Sequence, residues 1–419
     1  MYFYSSTESG SMGRRQRHRL SRKYPLFCAI AKFMEKFLHG GTISATMGIR
    51  IFWAARFPGA GREIFLSAAR EVFRQVSKSE VCGRGGRPEM GWILKVSGYG
   101  KIESAEIQVV PLTLFVGDNN SGKSYLLSLL WGIRNLGMEI LFTGGNGQAS
   151  EAEDRLLCWV REQVKAAGEQ GRCTARVSEI GRELQAALQE RINRNKDRFV
   201  KAIFNSQDVE LDELQITLTG LENVSLEFKW QKLFRRIYLS LSQTDGKVIR
   251  LELSEEERET GILEDDKYQF IISNVMDLVL AHDNSGLESE IYFPAARTGF
   301  MLTKDVVNKA GRRVAFNAAM EQEAMVPFVR PVNHFLDVIN DLTSHNEVNH
   351  KFAEVIRYLE KGMADGIVEM SSLPNKEVRY TPNGKTSGMP LRTVSAVVTE
   401  LTPLILILKH QKYVDALFY

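Results

Sequence analysis

The feature that most constrains how this chain can fold is a glycine-containing loop between two apolar runs. The loop, residues 117–124, reads Gly-Asp-Asn-Asn-Ser-Gly-Lys-Ser. Residues 112–116 before it predict a short strand, and residues 125–131 after it predict the first turns of a helix. Two glycines and a closing Lys-Ser pair between a strand and a helix are the pattern of a phosphate-binding loop.

The chemistry of the loop explains why each residue type is found where it is. Glycine at 117 and 122 allows backbone conformations that a Cβ forbids, so that successive N–H groups can curve around phosphate oxygens. The helix that begins near Lys123 directs its positive end at the same phosphates. Lys123 is expected at the β- and γ-phosphates, and the Ser124 hydroxyl on Mg²⁺. The candidate binding residues are Gly117, Asp118, Asn119, Asn120, Ser121, Gly122, Lys123 and Ser124, with Ser124 as the metal contact.

The alternative is a glycine turn that carries Lys-Ser by chance. The strand-like run before the loop and the helix-like run after it favour the phosphate loop. We therefore predict that the chain binds a nucleoside triphosphate together with Mg²⁺.

Charge divides the chain into two parts of different composition. Residues 1–89 hold 16 Lys and Arg against 6 Asp and Glu, whereas the remainder holds 38 against 45. Three interpretations of the first part stay open: a basic arm that contacts nucleic acid or a membrane surface, a targeting segment rich in Arg and Ser, or translated sequence upstream of a true start at Met90. We favour the third, because a regular strand pattern begins only at Met90.

Cysteine spacing and hydropathy narrow the class of protein. The four cysteines form no Cys-x-x-Cys pair, so neither a zinc ribbon nor a disulfide framework is indicated. This predicts a reduced, cytoplasmic setting. The most apolar run, residues 401–408, is too short to span a bilayer, and no membrane partner is expected.

Periodicity predicts a mixed α/β protein, and 419 residues leave room for two or three domains. Strands are predicted at 92–96, 105–110, 112–116, 214–219, 224–228, 237–241, 248–253, 291–294, 366–370, 377–380 and 416–419. Helices are predicted from Lys123 to about residue 144, at 267–281 and 393–409, and over most of 150–205 and 313–363.

The order of these elements resembles a known family. Two strands followed by Leu-Phe-Val-Gly-Asp-Asn-Asn-Ser-Gly-Lys-Ser, from Leu114, resemble the start of AAA/ABC-class P-loop ATPases of the RecF/SMC-like and OLD types. Asn119, ahead of the Ser-Gly-Lys-Ser sequence, fits this class better than RecA-like or small GTPase loops. The resemblance covers about residues 90–419 and implies an α/β P-loop NTPase fold that binds ATP and Mg²⁺.

The resemblance also implies a division into domains. Residues 1–89 are expected to be a basic extension, disordered or upstream of the true start. Residues 90–149 would form the N-terminal half of the ATPase core, 150–288 a helical and β insertion, and 289–419 the C-terminal half of the core.

Two further places carry the resemblance. The run Tyr-Phe-Pro-Ala-Ala-Arg at 292–297 is similar to a strand end in these relatives, and implies a position for Arg297 near the nucleotide or a partner subunit; the alternative is a surface arginine at a strand end. Ser395 lies where relatives carry a serine-rich helix start that contacts the γ-phosphate bound by the other subunit of a dimer. Ala396 and Val397 replace the Ser or Gly common there, and the alternative is a plain N-cap serine.

The fourth place is the apolar run 416–419. In relatives such a strand is followed by the Walker B acids and later by a His, which hold Mg²⁺ through water and orient the attacking water. Neither follows in this sequence, and Asp277 and Asp337 lie in helix-like patterns that do not suit the role. We therefore expect a chain truncated before Walker B, with no catalytic residue assigned, that binds ATP weakly and hydrolyses it slowly or not at all.

Two functions stay open at this point. The first is an ATPase of the RecF/SMC/OLD type in DNA repair or anti-phage defence, which the resemblance implies would close as a homodimer on ATP and act with a DNA or nuclease partner. The second is a nucleotide-binding or assembly module without catalysis, or a truncated gene remnant. The residues do not establish nucleic-acid binding, because the part after residue 89 is net acidic, and we interpret the basic run 229–236 as a solvated turn.

Overall fold

Parallel strand pairs and antiparallel sheets coexist in this chain, with helices packed against them. The computed structural model describes residues 49–53, 91–109, 112–116, 120–144, 150–234, 236–243, 248–281, 289–304, 328–342, 352–371, 377–410 and 416–419. All of them belong to one unit, made of Gly48–Arg56 and Gly86–Tyr419. Within this part the fold is mixed α/β, as the sequence predicts.

The described residues form fourteen strands and eight α-helices. The strands are β1 (Ile49–Trp53), β2 (Gly91–Tyr99), β3 (Ile102–Val109), β4 (Leu112–Val116), β5 (Arg172–Arg176), β6 (Glu213–Thr219), β7 (Ser225–Leu233), β8 (Arg236–Gln243), β9 (Val248–Leu253), β10 (Ser289–Ile291), β11 (Gly366–Met370), β12 (Val378–Pro382), β13 (Met389–Pro390) and β14 (Ala416–Phe418). The helices are α1 (Lys123–Leu136), α2 (Glu151–Gln170), α3 (Gly181–Phe204), α4 (Glu255–Thr260), α5 (Asp265–Leu280), α6 (Arg330–Asp341), α7 (Ala353–Arg357) and α8 (Ala396–Lys409).

Two pairs of strands are parallel. β1 pairs with β4 from Ile49↔Leu112 to Trp53↔Val116, and β10 pairs with β14. β1 lies inside residues 1–89, the segment expected to be an extension; the boundaries of the domains remain a prediction.

Three antiparallel sheets complete the strand order: β3-β2-β6, β5-β7-β8-β9 and β11-β12-β13. In the first, the buried residues of β2 alternate along the strand, with Leu94 and Val96 fully buried. Such alternation places one face of a sheet on the core and leaves the other polar. The same period allowed most of these strands to be predicted.

One stretch that is predicted to be helical, and mostly is, also contains a strand. Residues 150–205 are predicted to be helical, but β5 interrupts them between α2 and α3. Gly171 ends α2 in the left-handed region, with φ 79°, and β5 then pairs with β7 from Arg172↔Lys229 to Arg176↔Ser225. A pairing partner more than 45 residues away outweighs local helix propensity, which is a weak determinant on its own.

The helix after the loop is shorter than predicted. α1 ends at Leu136 and is followed by a π-helical turn, Gly137–Leu141, rather than continuing to about residue 144. A Cβ at Gly137 would lie 2.4 Å from the Phe142 ring, so the aromatic side chain fits only because glycine is there. π-Helical turns are rare and occur mostly as single-turn bulges within α-helices.

The C-terminal part agrees with the sequence in its main elements. α8 begins at Ala396, after a 3₁₀ turn at Leu391–Thr393, instead of at residue 393. Of residues 313–363, those described form α6, α7 and a π-helical segment, Tyr358–Ala364. In the described ranges, no helix is both long enough and apolar enough to cross a membrane.

Candidate functional site

The phosphate loop is described from Asn120 onward. Gly117, Asp118 and Asn119 lie outside the described residues. Asn120 has φ 63° and Gly122 has φ 90°, so the backbone turns twice through the left-handed region before α1 begins. The Leu126 N–H then donates to the Gly122 carbonyl at 3.1 Å and closes the first helical turn. The strand before the loop and the helix after it, which the sequence predicts, are confirmed.

Gly122 is required for two separate reasons. Its φ of 90° suits glycine and is strained for other residues. A Cβ there would also lie 2.6 Å from Ile102 Cγ1, closer than packed atoms approach. Ile102 opens β3, so the turn between β2 and β3 packs directly against the loop.

Lys123 and Ser124 begin α1 at the point where the loop ends. The Lys123 ammonium donates to Ser121 Oγ at 3.2 Å, so the side chain folds back over the loop. Ser124 is exposed. The first turn of α1 contains no acidic residue, so nothing in that turn offsets the positive end of the helix dipole.

An aromatic cluster fixes the start of α1. The Tyr99 hydroxyl donates to the Tyr125 carbonyl at 3.3 Å. The Tyr125 ring lies 5.4 Å from Tyr99 and 4.9 Å from Phe204 of α3. Burial raises the pKa of the Tyr99 phenol well above its usual range, so it remains a neutral donor at physiological pH. Sequence reasoning missed these residues; the only local sign was the Gly-Tyr-Gly run at 98–100.

Contacts along α1 show the direction of β10. Glu290 accepts hydrogen bonds from Arg134 and from Asn135, both at 2.9 Å, near the C-terminal end of α1. Tyr292 is hydrogen-bonded to Ser128, nearer the N-terminal end. The segment from Glu290 to Tyr292 therefore runs antiparallel to α1.

The guanidinium of Arg297 is engaged by α8. It forms an ion pair with the Glu400 carboxylate, and its Nε donates to the Glu400 carbonyl at 3.2 Å. Thr298 donates to the same carboxylate at 2.7 Å. Contact with a nucleotide would require this ion pair to open, so its role there remains a prediction.

Ser395 is the N-cap of α8. Its Oγ accepts a hydrogen bond from the Val398 N–H at 3.4 Å, and its backbone is extended, with φ −66° and ψ 155°. This is the usual geometry of a capping serine. The side chain is exposed, and a contact with the nucleotide of a second subunit remains a prediction. Arg297 and Ser395 are both associated with the start of α8, since Arg297 contacts Glu400, one turn into the helix that Ser395 caps.

A buried polar cluster joins α1 to α5 and to the C-terminal strand. Arg134 Nη1 lies 3.9 Å from Asp277 Oδ1 and its Nε is bonded to Glu290. Burial acts to lower the pKa of Arg134, but the charges of Glu290 and Asp277 outweigh it and raise the pKa. Burial also raises the pKa of Tyr419, which lies beside the same charges. Asp277 therefore faces an arginine within the core.

The Mg²⁺ contact that the sequence assigns to Ser124 remains a prediction. Among the described residues, no group of three or more His, Cys, Asp or Glu is arranged to hold a metal ion. Mg²⁺ takes few ligands from protein when it accompanies a nucleotide, because phosphate oxygens and water complete its shell. A single exposed hydroxyl, that of Ser124, is consistent with such a shell. Asp337 lies on α6, as the sequence predicts, and burial raises its pKa.

Comparison with known proteins adds no family. The chain matches none of the models of known protein families. It matches no curated protein either.

Proposed function

We propose that this chain binds ATP with Mg²⁺ through residues 117–124, as a P-loop NTPase of the RecF/SMC-like and OLD type. One observation supports the proposal most. A strand leads into a backbone that turns left-handed at Asn120 and Gly122, and the helix that follows begins with Lys123 and Ser124 and has no acid in its first turn. This arrangement presents N–H groups, a helix N-terminus and a cation to a single anion.

Each residue has a distinct task in this proposal. Gly122 lets the backbone approach the phosphates, Lys123 neutralises the β- and γ-phosphate charge, and Ser124 offers its hydroxyl to Mg²⁺. Bound Mg²⁺ would supply charge neutralisation at the phosphates. Tyr99, through the Tyr125 carbonyl, holds the first turn of α1 in place.

The proposal extends to assembly and partners. We propose a cytoplasmic homodimer in which Ser395, at the exposed start of α8, faces the nucleotide of the second subunit. The proposed pathway, DNA repair or anti-phage defence with a DNA or nuclease partner, rests on the family resemblance alone.

A second candidate is a nucleotide-binding assembly module that does not hydrolyse ATP. The ion pair between Arg297 and Glu400 favours it, because the cation that the resemblance assigns to the nucleotide is neutralised within the chain. Both candidates share the loop and differ only in turnover.

Lys123→Ala tests nucleotide binding. Calorimetric titration of the full chain with MgATP should show binding that Lys123→Ala abolishes, since the cation at the phosphates is lost. Lys95→Ala, at an exposed position of β2, is the matched control and should bind like the wild type. Equal MgATP binding by the two variants would show that the loop is not the nucleotide-binding site. The rate of phosphate release from ATP by the wild type then distinguishes an ATPase from a module that only binds the nucleotide.

A further inference from the structure

The sheet β5–β7–β8–β9 has one face on the helices and one face turned away from them. On the inner face, Phe228 lies edge-on to Trp159 of α2 at 6.1 Å, and the Trp230 indole donates to the Val164 carbonyl at 3.3 Å. Because side chains alternate along a strand, the residues between them point to the opposite side.

The outer face carries an excess of positive charge, and we call it the basic face. The register of the four strands places five exposed cations on it: Arg172, Arg176, Lys229, Arg236 and Arg250. Two acids share this face, Glu227 and Glu252, and Glu252 is paired with Arg236 at 3.0 Å. The charge of the face is therefore clearly basic, although the chain after residue 89 is net acidic.

Three of the cations lie in one row. Arg172, Lys229, Ser240 and Arg250 are partners in register across all four strands. Neighbouring strands are about 4.8 Å apart, so the row spans about 15 Å. Arg172 lies directly opposite Lys229, an arrangement of like charges that is unfavourable in an isolated sheet. Within the part of the chain that the structure describes, none of these three cations forms an ion pair.

The hairpin tip of this sheet carries an exposed aromatic ring. The pair Leu233↔Arg236 closes the hairpin, and Phe234 at its apex is fully exposed, with φ 48°. A two-residue hairpin loop normally places Asn or Gly in this left-handed conformation, which a bulky residue adopts at a cost. A strained and solvated phenylalanine is an outlier that points to a function at the tip.

We propose that the basic face and its Phe234 tip bind single-stranded nucleic acid. Phosphates would lie along the row of cations, and bases would stack on Phe234 and on Tyr238, which lies on the same face between the row and the tip. A positively charged surface with aromatic side chains is the combination by which single strands are bound without dependence on sequence.

The distribution of charge favours a single strand over the other polyanions. Lys229 is four residues from Leu233, about 13 Å along the strand, so the cations continue far behind the tip. A membrane surface would meet the tip and leave the row behind it. A duplex would supply phosphates to the row but would present no base face to Phe234. A flexible single strand can reach both.

This surface deepens the proposed function and rests on it only for the expectation of a nucleic-acid partner. Binding is therefore measured without ATP, so that a failure here is separate from a failure of nucleotide binding at Lys123.

The test uses the full chain and a fluorescein-labelled oligothymidylate of about 20 nucleotides, long enough to cover a single-strand site. Anisotropy titrations over a range of salt concentrations compare the wild type with Arg172→Gln/Lys229→Gln/Arg250→Gln. Loss of three phosphate contacts should reduce the slope of log affinity against log salt by about 2. Phe234→Ala should weaken binding about tenfold with the slope unchanged, since stacking is lost but no charge.

Two controls match these variants. Lys165→Gln/Lys201→Gln/Lys361→Gln removes the same charge from exposed helical positions, and Ile262→Ala removes an apolar side chain that is 67% exposed. Circular dichroism checks that each variant is folded. A salt slope that falls equally in both triple variants would overturn the proposal. So would tighter binding to duplex than to oligothymidylate, or Phe234-dependent binding only to phosphatidylserine-containing vesicles.

Discussion

The phosphate loop and the basic face are assembled from the sequence in different ways. In the loop, β4, residues 117–122 and α1 follow one another without interruption. In the basic face, the cations come from four strands between residues 172 and 250, and β5 precedes its partner β7 by tens of residues. A contiguous pattern can be recognised along the chain, whereas the residues that share one face of a sheet can be identified only when the strand register is known.

Charge composition along the sequence therefore does not indicate which cations share a surface. The run 229–236 is interpreted from sequence as a solvated turn, and the part of the chain after residue 89 is net acidic. The register adds Arg172 and Arg250 to Lys229, and this makes a row out of residues that are not neighbours in sequence. Single substitutions can show how far each region depends on such long-range contacts.

The largest effect is expected at Glu153, whose contacts hold together the helices beneath the basic face. Glu153 accepts from the fully buried Arg191 at 2.8 Å and from Arg194 at 3.3 Å. Glu153→Gln leaves the Arg191 charge buried without its counter-ion, and should lower the free energy of unfolding by about 3 kcal/mol or more. Urea unfolding measures this. Glu151→Gln, which breaks an exposed ion pair with Arg155, should cost less than about 0.5 kcal/mol.

The same substitution predicts a pH dependence. Burial acts to raise the pKa of Glu153, but the hydrogen bond and charge of Arg191, with those of Arg194, outweigh it and hold the pKa below the ordinary value of 4.5. A carboxyl whose pKa is lower in the folded state stabilises the fold above pH 4.5 and loses that contribution as the pH falls through the folded value. The stability gap between the wild type and Glu153→Gln should therefore close below pH 4.5. A gap that stays constant with pH would contradict this pairing.

Gly122→Ala tests the phosphate loop. Left-handed strain and the contact with Ile102 together should cost about 2–4 kcal/mol and weaken MgATP binding. Gly384→Ala is the matched control: its φ is 75°, but nothing lies within 4 Å of the added Cβ, so it should cost only about 1–2 kcal/mol. Thermal unfolding compares the two. Equal losses of stability in the two variants would mean that the contact with Ile102 does not contribute to the cost of Gly122→Ala.

The smallest effect is expected at Tyr99, where the loop itself depends on a residue distant in sequence. Tyr99→Phe removes the donor to the Tyr125 carbonyl and keeps the ring packed against Phe204. Stability should fall by about 1 kcal/mol, and MgATP affinity should fall modestly because the first turn of α1 is less well held. Unchanged stability and affinity would show that the hydrogen bond does not support the loop.

Sequence reasoning reached the elements whose cause is local. Alternating apolar residues predicted β2, β8 and β11 to within a few residues, and the loop pattern predicted the strand and helix at its ends. It missed β5, because its pairing with β7 is not visible in a charged stretch that suits a helix. It could not show that Arg297 meets Glu400, since about one hundred residues separate them.

The most direct test of the nucleotide site at residues 117–124 is a calorimetric MgATP titration of three forms of the full chain. These are the wild type, Lys123→Ala, and Arg172→Gln/Lys229→Gln/Arg250→Gln. We expect the wild type and the triple variant to bind MgATP with the same affinity, and Lys123→Ala not to bind MgATP. Binding by Lys123→Ala equal to that of the wild type would contradict the assignment of the nucleotide to residues 117–124.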